Sequence, residues 1–236
     1  MVSKSMVLMD FKCDVMAEDL IKKLKIDNDQ DIFEFGKMLQ IAVGLAKPKA
    51  VYLEGFIDFR DENSVVINGV RFDSSILVKN LKNAERVFPY IATCGAELDS
   101  VNFSCDLLKQ YWWESIKAVY LDIARKNLVE YIKKRFMLKK ISTMVPGGGE
   151  RGLWPIEQQR ELFSLFGDVE KLIGVKLTES CLMIPNKSVS GILFETEKDY
   201  SGCKVCRRKD CPGRTAEFDE KLWKTLEIEA FLQIKK

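Results

Sequence analysis

Leu107–Phe136, LLKQYWWESIKAVYLDIARKNLVEYIKKRF, is the most regular stretch of the chain. Trp112, Trp113, Ile116, Tyr120, Ile123, Leu128, Tyr131 and Ile132 recur at helical spacing, with Lys117, Arg125, Lys126, Lys133 and Lys134 on the other side. That pattern predicts one long central helix. Working outward, residues 14–24 read as a short helix carrying Val15, Leu20, Ile21 and Leu24. Asp31-x-x-Glu34 has the form of a capping box opening a second helix with Phe35, Met38, Leu39, Ala42 and Leu45, which ends by Lys47 because Pro48 follows. Residues 51–59 and 87–93 are β-like, and Ser64–Ile67, Asn68-Gly69 and 70–72 form the clearest hairpin signal. On the C-terminal side, a glycine-rich loop at 145–153 precedes Trp154-Pro155, which opens a helix with Gly167 near its stop. Residues 182–184 and 189–194 read as strands; 198–214 are charged and cysteine-rich, and 218–234 form an amphipathic tail. The fold class is α+β, divided into an N-terminal helical segment (1–48), a main domain (49–197) and a small Cys-rich appendage with its tail (198–236).

The composition narrows the chemistry. Among 236 residues, Lys+Arg exceed Asp+Glu by 37 − 35 = 2, so no clustered basic excess marks a nucleic-acid or membrane-surface binder. The chain has seven cysteines and no histidine. Ser-His-Asp and Cys-His nucleophile systems, His-ligated zinc and the usual neutral-pH base are therefore excluded. The apolar run at 6–9 is too short for a signal-peptide core, and no run approaches the ~18 residues that span a bilayer. The expectation is a cytoplasmic protein whose cysteines are reduced thiols or metal ligands rather than disulfides.

Cys203-x2-Cys206-x4-Cys211-Pro212 puts three thiols into nine residues, among Gly202, Gly213 and the cations Lys204, Arg207, Arg208, Lys209 and Arg214. A positive field lowers thiol pKa and offsets the charge of a thiolate–metal site. The expected fourth ligand is Cys94, at the end of a β-like segment with Gly95 behind it; Cys105, Cys181 and Cys13 rank lower. An iron–sulfur cluster is favoured over zinc, and spacing does not separate them. The plain alternative is a set of redox-inert surface thiols.

Two further segments carry polar or bare backbone. Gly147-Gly148-Gly149-Glu150-Arg151-Gly152 formally matches G-x-G-x-x-G, but Pro146 precedes it and Pro155 starts the helix after its last glycine, so it is not a dinucleotide fingerprint. The functional reading is a loop against which a small ligand can lie; the alternative is a plain turn. In Pro185-Asn186-Lys187-Ser188-Val189-Ser190-Gly191, Lys187, Ser188 and Ser190 could donate to a carboxylate, phosphate or ribose. Asp122, within an apolar helical run, either meets a ligand amine or points to solvent beside Arg125 and Lys126.

Several segments together are familiar: Ala92-Thr93-Cys94-Gly95-Ala96-Glu97-Leu98, Trp154-Pro155-Ile156-Glu157-Gln158-Gln159 with Leu162-Phe163, the run 177–191 with Met183 and Pro185, and the cysteine motif ending at Arg214. Over about residues 51–218 the chain resembles the activation domain of vitamin B12-dependent methionine synthase, in its stand-alone form. The resemblance implies a twisted antiparallel sheet flanked by helices and a shallow site for S-adenosylmethionine (AdoMet). It also implies a role in remethylating cobalamin that has oxidised to cob(II)alamin, with an electron from a reductant. Pro146, Gly147, Gly148 and Gly149 then correspond to the family's Pro-Gly-Tyr loop, with Gly148 where the tyrosine stands. Ser188-Val189-Ser190-Gly191 corresponds to its Ser-Val-Ser-Gly segment, and Asp122 falls near an acidic ligand contact. The cobalamin would belong to a partner, a corrinoid protein or truncated methionine synthase, which this chain would help reactivate by presenting AdoMet, by delivering an electron through a Cys-ligated iron–sulfur cluster, or both. A non-catalytic docking module holding structural zinc, or an unrelated iron–sulfur carrier, are the other readings.

Overall fold

The computed structural model describes residues 5–8, 11, 13, 15–150, 153–197, 200–211 and 213–226. A short strand β1 (Met6–Leu8) precedes helices α1 (Ala17–Leu24) and α2 (Asp29–Leu45). Strands β2 (Lys49–Tyr52), β3 (Gly55–Arg60), β4 (Ser64–Ile67) and β5 (Val70–Asp73) follow, then α3 (Ser75–Asn80) and β6 (Arg86–Thr93). Helix α4 (Leu107–Phe136) leads to β7 (Ile141–Met144), α5 (Gln159–Ser164), α6 (Val169–Ile173), the strand pair β8 (Lys176–Leu177) and β9 (Met183–Ile184), β10 (Ser188–Glu195) and α7 (Glu220–Thr225). The expected α+β class holds.

Strand β6 is the centre of the sheet. One edge bonds β10, which in turn bonds β7; the other bonds β2 along its C-terminal half and β3 at its N-terminal end. Strand β1 extends β2, while β4 and β5 extend β3, all antiparallel. The β-like run 51–59 is thus two strands rather than one. Its break at Leu53-Glu54 lies opposite Pro89, whose carbonyl accepts from Leu53 N–H at 3.1 Å. A strand residue turns its N and its C=O to the same side, so the donor that proline lacks faces this break and no ladder bond is forfeited. The β4–β5 hairpin closes as the sequence predicts. Asn68 (φ 49°) and Gly69 (φ 80°) both adopt the left-handed conformation of a two-residue primed turn, which glycine tolerates best.

The two faces of the sheet are covered by different helices. Tyr52, Phe88, Tyr90, Ala92 and Leu193 meet Ala124, Leu128 and Ile132 of α4. Further along, Trp112, Trp113, Ile116 and Tyr120 of α4 share a core with Leu20 of α1 and Phe35, Met38 and Ala42 of α2. On the opposite face, Val87, Ile192 and Phe194 pack with Trp154, Leu162, Val205 and Trp223, and Val51 and Ile91 with Phe166, Val169 and Ile173.

Local chemistry explains most boundaries. Helix α4 starts at Asp106, whose carboxylate accepts from Leu108 and Lys109 N–H, and ends at Met137 in the left-handed conformation. The N-cap of α2 is Asn28, which accepts from Asp31 N–H, so the helix opens before the expected Asp31-x-x-Glu34 box. After Pro155 a 3-10 turn, Ile156–Gln158, precedes α5, and Gly167 (φ 73°) follows. Gln158 clamps this turn to β5: it accepts from Asp73 N–H and Trp154 Nε1 and donates to Asp73 O. Of the expected helix 14–24, Asp14 lies outside the described residues, as do Lys198, Pro212 and the tail beyond Leu226. Strand β7, flanked by Lys139-Lys140 and Pro146, is not foreseen in the sequence reading.

Gly191 of β10 faces β7 so closely that a Cβ there would stand 2.5 Å from Met144 O and 3.0 Å from Tyr90 Cε1, whereas a Cβ on Gly36 of α2 meets nothing within 4 Å. Gly191→Ala is therefore expected to destabilise by about 1–3 kcal/mol through overpacking, and Gly36→Ala to stabilise by about 0.5–1 kcal/mol through helix propensity. Urea midpoints measure both; equal midpoints for the two variants would contradict the packing at β7.

Candidate functional site

The glycine loop joins β7 to Trp154. Gly147 N–H donates to Trp154 O (2.8 Å) and Gly148 N–H to Val145 O (3.0 Å), closing a tight turn behind the buried Pro146. Its bare faces meet the protein itself. A Cβ on Gly147 would lie 2.9 Å from Ile156 Cδ1, one on Gly148 2.5 Å from Val145 Cγ2, and one on Gly149 3.4 Å from Gly202 O. The loop also borders β10, since a Cβ on Gly191 would lie 2.9 Å from Val145 Cγ1. The Pro146–Gly149 segment and the Ser188–Gly191 segment are thus neighbours.

The expected polar residues fall into three different environments. The Ser188 hydroxyl donates to Pro185 O (2.8 Å) and lies 3.0 Å from Thr93 Oγ1. Ser190 is 1% exposed, and its buried Oγ has no partner among the described residues. Lys187 pairs with Glu114 at 2.9 Å. Asp122 sits on the α1 side of α4, where it pairs with Arg125 (2.9 Å) and Lys126 (2.7 Å) and lines a cavity of about 270 Å3 with Leu20, Lys23 and Tyr111. Partial burial works against its carboxylate, but the hydrogen bonds and charges of Lys126 and Arg125 hold its pKa below the ordinary value. The structure therefore gives the solvent-facing alternative for Asp122 and does not bring it to the glycine loop. A larger cleft of about 920 Å3, among Lys79, Arg86, Phe88, Lys139 and Glu195, opens at the other end of β6 and β10 and contains none of the expected residues.

One polar centre is absent from the sequence reading. Lys117, assigned there to the solvent side of the helix, is 5% exposed. Its ammonium reaches Glu114 Oε1 at 2.6 Å, Asp99 Oδ1 at 3.0 Å and Asn186 Oδ1 at 3.3 Å. Asn186 Nδ2 donates to Glu114 Oε2 at 3.0 Å, so α4, the 3-10 turn Ala96–Ser100 and the 185–188 loop meet at one charge cluster. The signal was present: Trp113, Lys117, Tyr120 and Ala124 continue one i, i+4, i+3, i+4 stripe. Cys94 lies beside this cluster, fully buried in the α2–α4 core. Burial, reinforced by the charge of Asp99, pushes its thiol up to about 12.

The cysteine segment is organised differently from the expected ligand set. Cys203, Cys206 and Cys211 are half-buried free thiols, and among the described residues no group of three or more Cys, Asp or Glu side chains converges as a metal site. Cys94 belongs to the opposite core, with Phe35 and Trp113, while Val205 packs with Trp154 and Trp223. The four cysteines in this arrangement do not fit a cluster or zinc. The guanidinium of Arg214 occupies the loop instead, donating to the carbonyls of Ala216 (3.0 Å) and Cys203 (3.2 Å) from Nη1, and of Cys206 (2.9 Å) and Arg208 from Nη2. Burial disfavours a Cys203 thiolate, but donation from Thr215 N–H and Oγ1–H, the Ala216 N–H and the Arg214 charge outweigh it and lower the pKa.

Electrostatics of the Lys117 cluster predict a pH response. Burial opposes ionisation of Glu114, but hydrogen bonds from Lys117, Lys187 and Asn186 prevail and bring its carboxyl from 4.5 down to about 2. A depressed folded-state pKa stabilises the fold above the unfolded value, and that stabilisation is lost as pH falls from 4.5 towards 2. Urea unfolding followed across this window is expected to show a shallower acid decline for Glu114→Gln than for the natural chain. Parallel declines would contradict the cluster.

With this geometry, comparison with known proteins gives a consistent result. The family model "Vitamin B12 dependent methionine synthase, activation domain" matches residues 136–211, which run from the end of α4 to Cys211. No curated protein matches the chain. A solved structure, "Crystal Structure of the MetH Reactivation Domain bound to AdoHcy", shares 16% identity over 84% of this chain and 81% of that one, with a TM-score of 0.56. At that identity the likeness concerns the fold, and it bears out the expected antiparallel sheet flanked by helices. By sequence over residues 136–211 and by fold over most of its length, the chain is similar to the activation domain of vitamin B12 dependent methionine synthase.

Proposed function

We propose that this chain is an accessory protein that presents AdoMet during reactivation of a cobalamin-dependent methionine synthase or another corrinoid methyltransferase. The observation that carries this reading is the contact between Gly191 and Met144–Val145, which sets the Pro146–Gly149 loop beside the Ser188–Gly191 strand within the family-matched segment. The similar MetH domain is described as bound to AdoHcy, the demethylated product of AdoMet. Gly147 is the exposed residue of this loop; its missing side chain faces Ile156, and what it offers a nucleoside is its exposed main chain. Ser190, with a buried hydroxyl that no described residue satisfies, is the polar group of the neighbouring strand.

The corrinoid and the reductant belong to partners on this reading. A chain without histidine has no imidazole to hold cobalt. One electron and the methyl group of AdoMet together restore the partner's methylated cobalamin, leaving AdoHcy. The contribution of this chain is to hold and orient the methyl donor.

Titration calorimetry with AdoHcy is expected to show one saturable site on the isolated chain. Absence of heat up to millimolar concentrations would remove AdoMet presentation from the proposal.

A further inference from the structure

The cysteine segment touches the glycine loop directly. A Cβ on Gly202 would lie 3.2 Å from Gly149 N, and one on Gly149 would lie 3.4 Å from Gly202 O and 3.6 Å from Val205 Cγ2. Two backbones therefore pack against each other without intervening side chains. Beside this contact, Glu150 Oε2 accepts from Arg207 N–H at 2.9 Å and from Arg207 Nε at 3.4 Å. The Glu150 side chain is 20% exposed and that of Arg207 52%, so the ion pair is open to solvent on its arginine side, and the 2.9 Å bond from Arg207 N–H is the fixed part of the contact. The Arg207 guanidinium also lies 4.7 Å from the Trp223 ring, and Asp219 N–H donates to Lys204 O, fastening the segment to α7.

The segment holds its shape through Arg214. Four carbonyls along Cys203–Ala216 are taken by one planar cation, that of Cys203 in addition to its 3.3 Å bond from Cys206 N–H. Charge-assisted bonds to a fixed guanidinium fork are among the stronger ones available to a loop.

We propose that the cysteine-rich segment is the positioning wall of the glycine loop, locked to it by Glu150 and folded around the guanidinium of Arg214 rather than around a metal ion. Glu150 and Arg214 are positioning residues: neither needs to touch a ligand, and both set where Gly147–Gly149 lie. The functional consequence rests on the glycine loop being the AdoMet loop, as proposed above, whereas the wall itself does not.

Hydrogen exchange on the full chain tests the two parts separately. In chelator-treated protein, protection of 145–150 and 201–211 is expected to equal that of untreated protein. Glu150→Ala is expected to raise exchange at 147–149 by about tenfold, in line with the loss of a charge-assisted hydrogen bond, while the urea midpoint moves little. Glu150→Gln, which keeps an acceptor for Arg207 N–H, is expected to recover part of that protection. Arg214→Ala is expected to raise exchange in both segments, and Arg214→Lys to fail as a rescue because an ammonium cannot span the same carbonyls. Loss of protection on chelation would show that a metal folds the segment and overturn the role of Arg214. Unchanged exchange at 147–149 in Glu150→Ala would overturn the wall, even if Arg214→Ala does not fold. AdoHcy titration of Glu150→Ala is read separately: weaker binding than the natural chain links the wall to the ligand. A natural chain that does not bind AdoHcy sinks the proposed function and leaves the exchange result to decide this inference.

Discussion

The absent N–H of Pro89 organises the sheet. A central strand bonded on both edges has no place for a residue without a donor, unless the partner is interrupted at that point. Here the interruption divides one β-like run into β2 and β3, which share an edge of β6 but lead to different places. Strand β2 continues to β1 at one end of the sheet, and β3 to the β4–β5 hairpin at the other. With that edge divided, β10 lies unbroken along the opposite edge, pairing from Ser188–Thr93 to Phe194–Val87. The straight strand delivers Gly191 to β7, and the glycine loop begins where β7 ends.

The candidate site is built from close backbone approaches rather than from projecting side chains. A methyl group on Gly191 would stand 2.5 Å from Met144 O and one on Gly202 3.2 Å from Gly149 N, so both contacts would be disturbed by a side chain. Such contacts transmit position because main chain cannot change rotamer. The polar cluster at Lys117 acts on the other end of β10, through Asn186 and Lys187. The stretch carrying Ser188 and Ser190 is therefore fixed by quite different physics on its two sides, charge pairing before it at Asn186 and Lys187 and steric contact after it at Gly191.

Much of this fold was legible in the sequence, and the gaps have physical reasons. Helix α4 and the Asn68–Gly69 hairpin rest on local periodicity and on residues that favour left-handed backbone, so both could be read directly. The division at Leu53-Glu54 required pairing 51–59 with a proline more than thirty residues away, which no local pattern contains. Strand β7, only four residues long, alternates Ile141 and Thr143 with Ser142 and Met144 and shows no apolar run. Residue type argues for Lys117 on the solvent side, whereas its spacing puts it on the buried stripe, where it lies. In the site, the glycine loop and the Ser188–Gly191 segment are both legible as local patterns, whereas their adjacency comes from the pairing of β10 with β7. The roles of Asp122 and Cys94 are not legible in this way, because a nearby cation and the depth of the core are properties of tertiary packing. The cysteine spacing suggested a metal; what the sequence left hidden was an arginine donating to four carbonyls of the same loop.

Helix α4 is thirty residues, about 45 Å at 1.5 Å per residue, and most of its contact with the sheet is aliphatic and aromatic. Apolar packing is non-directional, and by itself it resists axial sliding of a rod only weakly. Lys117 changes this. A buried ammonium costs several kcal/mol unless its partners are in reach; Glu114 travels with Lys117 on α4, but Asp99 and Asn186 belong to other elements. A shift of α4 by one residue would turn that side chain through about 100° and part it from Asp99 and Asn186. Lys117 thus acts as a detent that sets the axial phase of the whole helix, and with it the height at which Phe136 meets Phe88 at the far end of the sheet.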